Sequence, residues 1–142
     1  GHILVRRHPD DSFAGVCPFH GDCLEGLASG PAVTARWGRP GTELGEDRAA
    51  AIEFSAYYIA QLMMTITLSL CPERIVLGGG VAKTPGLADR VRELTASLLN
   101  GYLLDHPAAD ATSAFIVAPG CGDQAGVIGA LELAADALAA AE

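Results

Sequence analysis

The run Cys17-Pro18-Phe19-His20-Gly21-Asp22-Cys23 constrains this chain more than any other stretch. Two residues separate each of its three metal-capable side chains. That spacing lets a loop fold back and turn successive ligands toward one ion. Thiolate and imidazole together suit tetrahedral zinc. The fourth ligand must come from elsewhere. His2, on a predicted strand, and His8, in the loop that follows, both offer one, and spacing does not choose between them. Four protein ligands close the shell and leave no water to activate, so the expected metal is structural. The plainer reading is two small buried thiols and a satisfied histidine. With only four cysteines, unevenly spread, a disulfide scaffold is a poor alternative.

Glu25 follows the last cysteine of that run by two residues and has two readings. With Asp22 as N-cap it would be the N3 member of a capping-box variant. It is also a carboxylate pinned beside a metal loop, rigid enough to hydrogen-bond a sugar hydroxyl in fixed geometry.

The 142 residues make about one domain, and 50% of them are hydrophobic against 18% charged. That balance excludes a disordered tail. Seventeen acids against nine bases give a net charge of −8, so the chain lacks the basic face that gripping a phosphate backbone requires, and no nucleic-acid partner is expected. No apolar run long enough to span a membrane lacks a charge or a breaker, and no secretory signal opens the sequence. No membrane partner is expected either.

Along the chain, residues 2–6 read as a short strand and 7–22 as an ordered loop, followed by a helix from about 23 to 29. Gly30-Pro31 interrupts or restarts it, and residues 38–46 read as a linker. Ile52, Ala56, Ile59, Met63, Ile66 and Leu70 recur at helical spacing and predict a long helix over about 47–70, ended by Pro72. Its second half, poor in polar residues, is expected to be buried on most sides. Residues 74–77 read as a buried parallel strand. Thr84 reads as an N-cap with Pro85 at N1 of a helix reaching about 99. Residues 113–117 read as a second strand, and 124–140 as a final Ala/Leu-rich helix. Strand, helix, strand, helix implies an α/β fold.

Gly78-Gly79-Gly80 closes the first of those strands. The run is not a P-loop, since Ala82 precedes Lys83 and Leu77 stands where the opening glycine belongs. It fails the dinucleotide fingerprint as well, because Lys83 replaces the third glycine. What remains is a glycine turn near a helix start, where backbone N–H groups can gather round an anion.

Taken together, Gly1-His2 and the stretch Gly15 to Ala32 resemble the zinc-loop signature of ROK-family sugar kinases, with the bacterial fructokinase branch nearest. Pro72 to Val81 resembles that family's nucleotide-side strand and loop, and Gly122-Asp123-Gln124-Ala125-Gly126 its closing element. The resemblance implies an α/β fold: the C-terminal lobe of an actin-like or ribonuclease-H-like sugar kinase with a zinc-stabilised loop inside residues 2–25. It implies that His2, Cys17, His20 and Cys23 bind structural Zn²⁺, and that His2 and Glu25 contact the sugar. It places Gly78, Gly79, Gly80 and Val81 against ATP, which enters with Mg²⁺. Most of the family carries C-x-C-G-x-x-G-C here; the C-x2-H-x2-C arrangement is that of the fructokinase branch. The implied activity is transfer of the ATP γ-phosphoryl group to a hexose, fructose first, in a cytoplasmic homodimer. The family's catalytic Asp and its phosphate loop have no counterpart in residues 1–142, so no catalytic residue is assigned and the isolated chain is expected to be inactive. The family's sugar-sensing transcriptional regulators supply the alternative.

Overall fold

Helix α3, Arg48–Leu70, is the axis on which the rest of the chain is assembled. The structure, a computed structural model, describes residues 1–140. Two short helices precede the axis, α1 (Leu24–Ala28) and α2 (Gly30–Trp37). After it come strand β1 (Ile75–Val76), helix α4 (Leu87–Leu99), strand β2 (Ile116–Val117) and helix α5 (Ala125–Ala139). Five 3₁₀ turns fill the connections among the described residues. The fold is a mixed α/β one, as the order of elements predicts.

The core lies where α1 and α4 pack on α3. Leu27, Tyr58, Leu87 and Val91 are all but sealed from solvent there, and Leu24, Met63, Phe115 and Ile116 join them. Val91 and Thr95 lie one helical turn apart on α4 and are both fully buried. The hydroxyls of Thr95 and Thr67 donate to the carbonyls four residues back, Val91 and Met63, so neither leaves an unpaired polar atom in the core. Arg90 of α4 forms a two-pronged bond to Glu53 of α3, at 2.7 and 2.9 Å.

β1 and β2 are parallel, with Ile75 opposite Ile116 and Val76 opposite Val117. Helix α4 is the crossover between them, as parallel pairing requires. The Arg92 Nε–H donates to the Ile116 carbonyl at 2.8 Å and ties the crossover to the sheet. Only one face of the first strand is covered: Ile75 is buried and Val76 exposed.

Four local expectations need correction. Residues 2–6 form no strand. The Leu24 N–H donates to the Ile3 carbonyl and the Glu25 N–H to the Gly1 carbonyl, while the Gln61 side chain bonds both the amide and the carbonyl of Arg6. Those carbonyls take the first donors of α1, so the capping box does not form either: Cys23 is the N-cap without a side-chain bond, and Asp22 turns to Arg7 instead. Thr84 does not start α4, because Gly86 adopts the left-handed φ of 89° and becomes the N-cap. Finally, the second half of α3 is not buried on most sides: beyond Gln61 only Met63 and Thr67 are buried, and Leu68 and Leu70 are exposed. By length and composition alone α3 could cross a membrane. Its packing against α1 and α4 is that of a core helix.

Candidate functional site

Two backbone bonds build the site. Because α1 takes its first hydrogen bonds from the carbonyls of Gly1 and Ile3, the intervening His2 is delivered beside Cys23 at the helix N-terminus. Opposite, the chain makes a tight antiparallel turn in which Cys17 and Gly21 exchange both amide bonds, at 3.1 and 2.9 Å. Glycines make this possible. Gly15 has φ of 90°, and a Cβ on either Gly15 or Gly26 would collide with the Gly21 carbonyl oxygen. No other residue fits at Gly26, which lies inside α1 against the backbone of Cys17.

The turn brings His2, Cys17, His20 and Cys23 together, one ligand atom from each lying within 4.8 Å of the others. His2 Nδ1 is 3.5 Å from Cys17 Sγ and 3.6 Å from Cys23 Sγ, and His20 Nδ1 is 3.8 Å from Cys17 Sγ. Nitrogen and sulfur bonded to one tetrahedral zinc at their usual lengths stand about 3.5 Å apart. The donor set and its spacing therefore fit zinc. His8 does not take part. It sits between Phe54 and Tyr57, with ring centroids 5.0 and 4.9 Å away, and its Nδ1 accepts the Asp10 N–H.

Both cysteines are buried and unbridged. Burial pushes the Cys17 thiol up, but the amides of His20 and Phe19 and the side chains of Cys23 and His20 outweigh it, and its pKa falls to about 7. One of those amides, His20 N–H, donates to Cys17 Sγ at 3.4 Å. A thiolate is what a metal needs. His2 turns Nδ1 to the sulfurs, which leaves Nε2 as its outward nitrogen. Glu25 is likewise solvent-facing and is fastened through its amide to the residue before His2.

The glycine run divides in three. A Cβ on Gly78 would come within 2.9 Å of Pro119 Cγ, so this glycine serves the packing of the sheet's end. Gly79 has φ of 96° and makes the turn. Gly80 and Val81 line a cleft of about 650 Å³ between the N-terminal half of α3, the turn after α2 and the loop before α4. Val33, Leu44 and Leu87 give the cleft apolar walls, while Arg48 and Lys83 bring positive charge to it. Lys83 is also paired with Asp123 of the turn before α5, at 2.5 Å.

A second set of polar residues escaped sequence reasoning. Asp11 and Arg36 are nearly sealed from solvent and paired at 2.8 Å, and the Tyr58 hydroxyl donates to the same carboxylate at 2.6 Å. Burial and the Asp11 bond raise the Tyr58 pKa to about 12. The pattern of apolar spacing on α3 misses Tyr58 because it follows aliphatic positions. The available signal was chemical: Asp11 two residues before Phe13 in the loop, and Arg36 next to Trp37.

Comparison with known proteins places these features. A protein of Bacillus subtilis (strain 168) is 46% identical over 140 residues, covering 99% of this chain and 46% of its own length. A fructokinase of Zymomonas mobilis subsp. mobilis (strain ATCC 31821 / ZM4 / CP4) is 46% identical over 136 residues, 94% of this chain and 44% of that protein. A fructokinase of Streptococcus mutans serotype c (strain ATCC 700610 / UA159) is 43% identical over 138 residues, 94% and 45% of the two lengths. The chain thus spans under half the length of the curated relatives it matches. With residues 1–137 matching the model of the ROK family, the chain belongs to that family.

Proposed function

We propose that the protein carrying this chain transfers the γ-phosphoryl group of ATP to a hexose, with fructose the first candidate. The observation that carries the reading is the four-ligand cluster of His2, Cys17, His20 and Cys23, in a chain whose relatives include named fructokinases. In this reading the four side chains hold one Zn²⁺, which supplies no reaction chemistry: it fixes the positions of its ligands. His2 then offers its Nε2 edge to a sugar hydroxyl, and the Glu25 carboxylate accepts a hydrogen bond from another. Neither group has to reorganise when the sugar arrives, which is the advantage of mounting both beside one rigid metal cluster.

ATP, with Mg²⁺ on its phosphates, occupies the cleft beside Gly80 and Val81, with Gly78 and Gly79 shaping the turn. The apolar walls suit the base, and Lys83 and Arg48 suit the phosphate charge. Phosphoryl transfer depends mainly on positioning and charge stabilisation. Residues 1–142 supply the positioning in this reading, as the sugar and nucleotide lobe of an actin-like kinase. None of them is assigned as the base that takes the sugar-hydroxyl proton. A cytoplasmic homodimer is part of the same proposal.

Steady-state assay of ADP release from MgATP by the full-length protein, across a panel of hexoses, tests it. Fructose-dependent turnover is expected, with His2→Ala and Glu25→Ala raising the fructose KM at least tenfold. Tight hexose binding with no turnover on any sugar would instead point to a sugar sensor.

A further inference from the structure

We infer that Asp11 is a positioning residue for the metal loop: its buried carboxylate joins α2, α3 and the loop that carries Cys17, His20 and Cys23. The inference rests on the zinc reading above.

The loop between residues 7 and 22 has almost no ladder of its own beyond the Cys17–Gly21 turn. What holds it is a set of directed polar bonds centred on one side chain. Asp11 Oδ2 accepts from the Tyr58 hydroxyl of α3 at 2.6 Å and from Arg36 Nη2 of α2 at 2.8 Å. Its Oδ1 accepts the Phe13 N–H at 3.0 Å, and its backbone carbonyl accepts from Arg7 Nη2 at 3.1 Å. Arg7 also donates to the Phe13 carbonyl, and through Nη1 to Asp22 Oδ2 at 3.1 Å, the residue next to Cys23. The Tyr58 oxygen in turn accepts the His8 N–H at 3.2 Å, which fixes the far end of the segment that starts at His2. Arg36 is clamped between aromatic rings, its guanidinium carbon 4.7 Å from the Phe13 centroid and 5.3 Å from that of Phe54.

As a source of stability this is a poor investment. The Asp11 and Arg36 side chains are 2% and 6% exposed, and a buried ion pair is commonly matched or bettered by apolar residues of the same volume. A carboxylate offers something an apolar cluster does not, namely three directed contacts that fix one arrangement of three chain segments. Four ligands on three separate stretches of backbone need that, since a metal site tolerates displacements of only about 0.5 Å. Asp11 touches neither metal nor sugar in this account. Its carboxylate acts through Tyr58, Arg36 and the Phe13 amide, and the segment it fixes presents the main-chain carbonyl that Arg7 bridges to Asp22.

The test compares zinc release to a colorimetric chelator and the visible spectrum of the Co²⁺-substituted full-length protein, alongside the thermal midpoint. Asp11→Asn is set against Val91→Ala, a fully buried core truncation on α4 whose apolar side chain makes none of these hydrogen bonds. Asp11→Asn is expected to speed release about tenfold or more, the scale on which outer-shell partners of metal ligands act, and to alter the Co²⁺ bands. Val91→Ala should lower the midpoint and leave both metal readouts within twofold of wild type. If Asp11→Asn does not fold, Tyr58→Phe removes the bonds to Asp11 and from the His8 N–H while leaving the ion pair, and about threefold faster release is expected. A folded Asp11→Asn or Tyr58→Phe with wild-type release and spectrum overturns the positioning role. A wild type that takes up neither zinc nor Co²⁺ overturns the zinc reading itself, and the positioning role with it.

Discussion

Residues 1–37 and helix α5 invert the usual association of polar with loose and apolar with packed. The first region is rich in glycine, proline and charge, yet Cys23 and Leu27 are sealed within it and its loop is bonded from both sides. The second is an Ala/Leu helix in which no residue is buried, with Val127, Leu131, Leu133 and Leu138 all exposed. A helix draws most of its stability from the face it packs, whatever its propensity. A loop gains order from each polar group that finds a partner, as Asp11, Arg7 and Asp22 do here. Composition told which residues were apolar; it did not tell where a partner surface would be.

One substitution made in both regions separates them most sharply. Gly26→Ala drives a Cβ into the Gly21 carbonyl and the Cys17 backbone, and is expected to cost about 3 kcal/mol or more, with zinc lost as well. Gly129→Ala in α5 meets nothing within 4 Å and should gain up to about 1 kcal/mol from helix propensity. Chemical denaturation of the two variants checks both signs. A loss at Gly129 would show that a partner surface covers that helix.

Core truncations should fall in the same order. Leu27→Ala in α1 is expected to cost about 2–5 kcal/mol, whereas Leu131→Ala in α5 should stay within about 0.5 kcal/mol of wild type. Equal losses in equilibrium unfolding would erase the contrast between the two regions.

The buried network has its own signature at high pH. The Tyr58 pKa is raised in the folded state, so its contribution is complete below the ordinary value of 10.0 and is lost as pH rises through about 12. Tyr58→Phe should flatten that alkaline limb of the stability curve. The smallest expected effect lies at the opposite end of the scale. The Arg90 bond holds the Glu53 carboxyl below its usual 4.5, so the stability it lends is present above that value and lost as pH falls through the depressed one. The pair is partly exposed, and Glu53→Gln should change the acid limb only slightly.

Much of this was legible in the sequence because it rests on short-range chemistry. The C-x2-H-x2-C spacing marked three of the four side chains that cluster, the helical period marked α3, and alternation of strand and helix marked the parallel pair. Most of the misreadings share a cause. Asp22 and residues 2–6 have the right local chemistry for a cap and a strand, but long-range partners claim the same groups: Ile3 and Gly1 cap α1 and Gln61 holds Arg6, whereas at Thr84 the cause is local, the left-handed turn of Gly86. Asp11 was illegible for the same reason, since its partners lie 25 and 47 residues away. The choice of His2 over His8 came with the family resemblance, and the geometry of the cluster agrees with it.

Metal analysis of the purified protein, with and without His20→Ala, probes the cluster most directly. One zinc per chain in the wild type, lost in the variant, is the predicted result. A wild type free of zinc, or a His20→Ala protein that keeps its full complement, would contradict a single cage formed by His2, Cys17, His20 and Cys23.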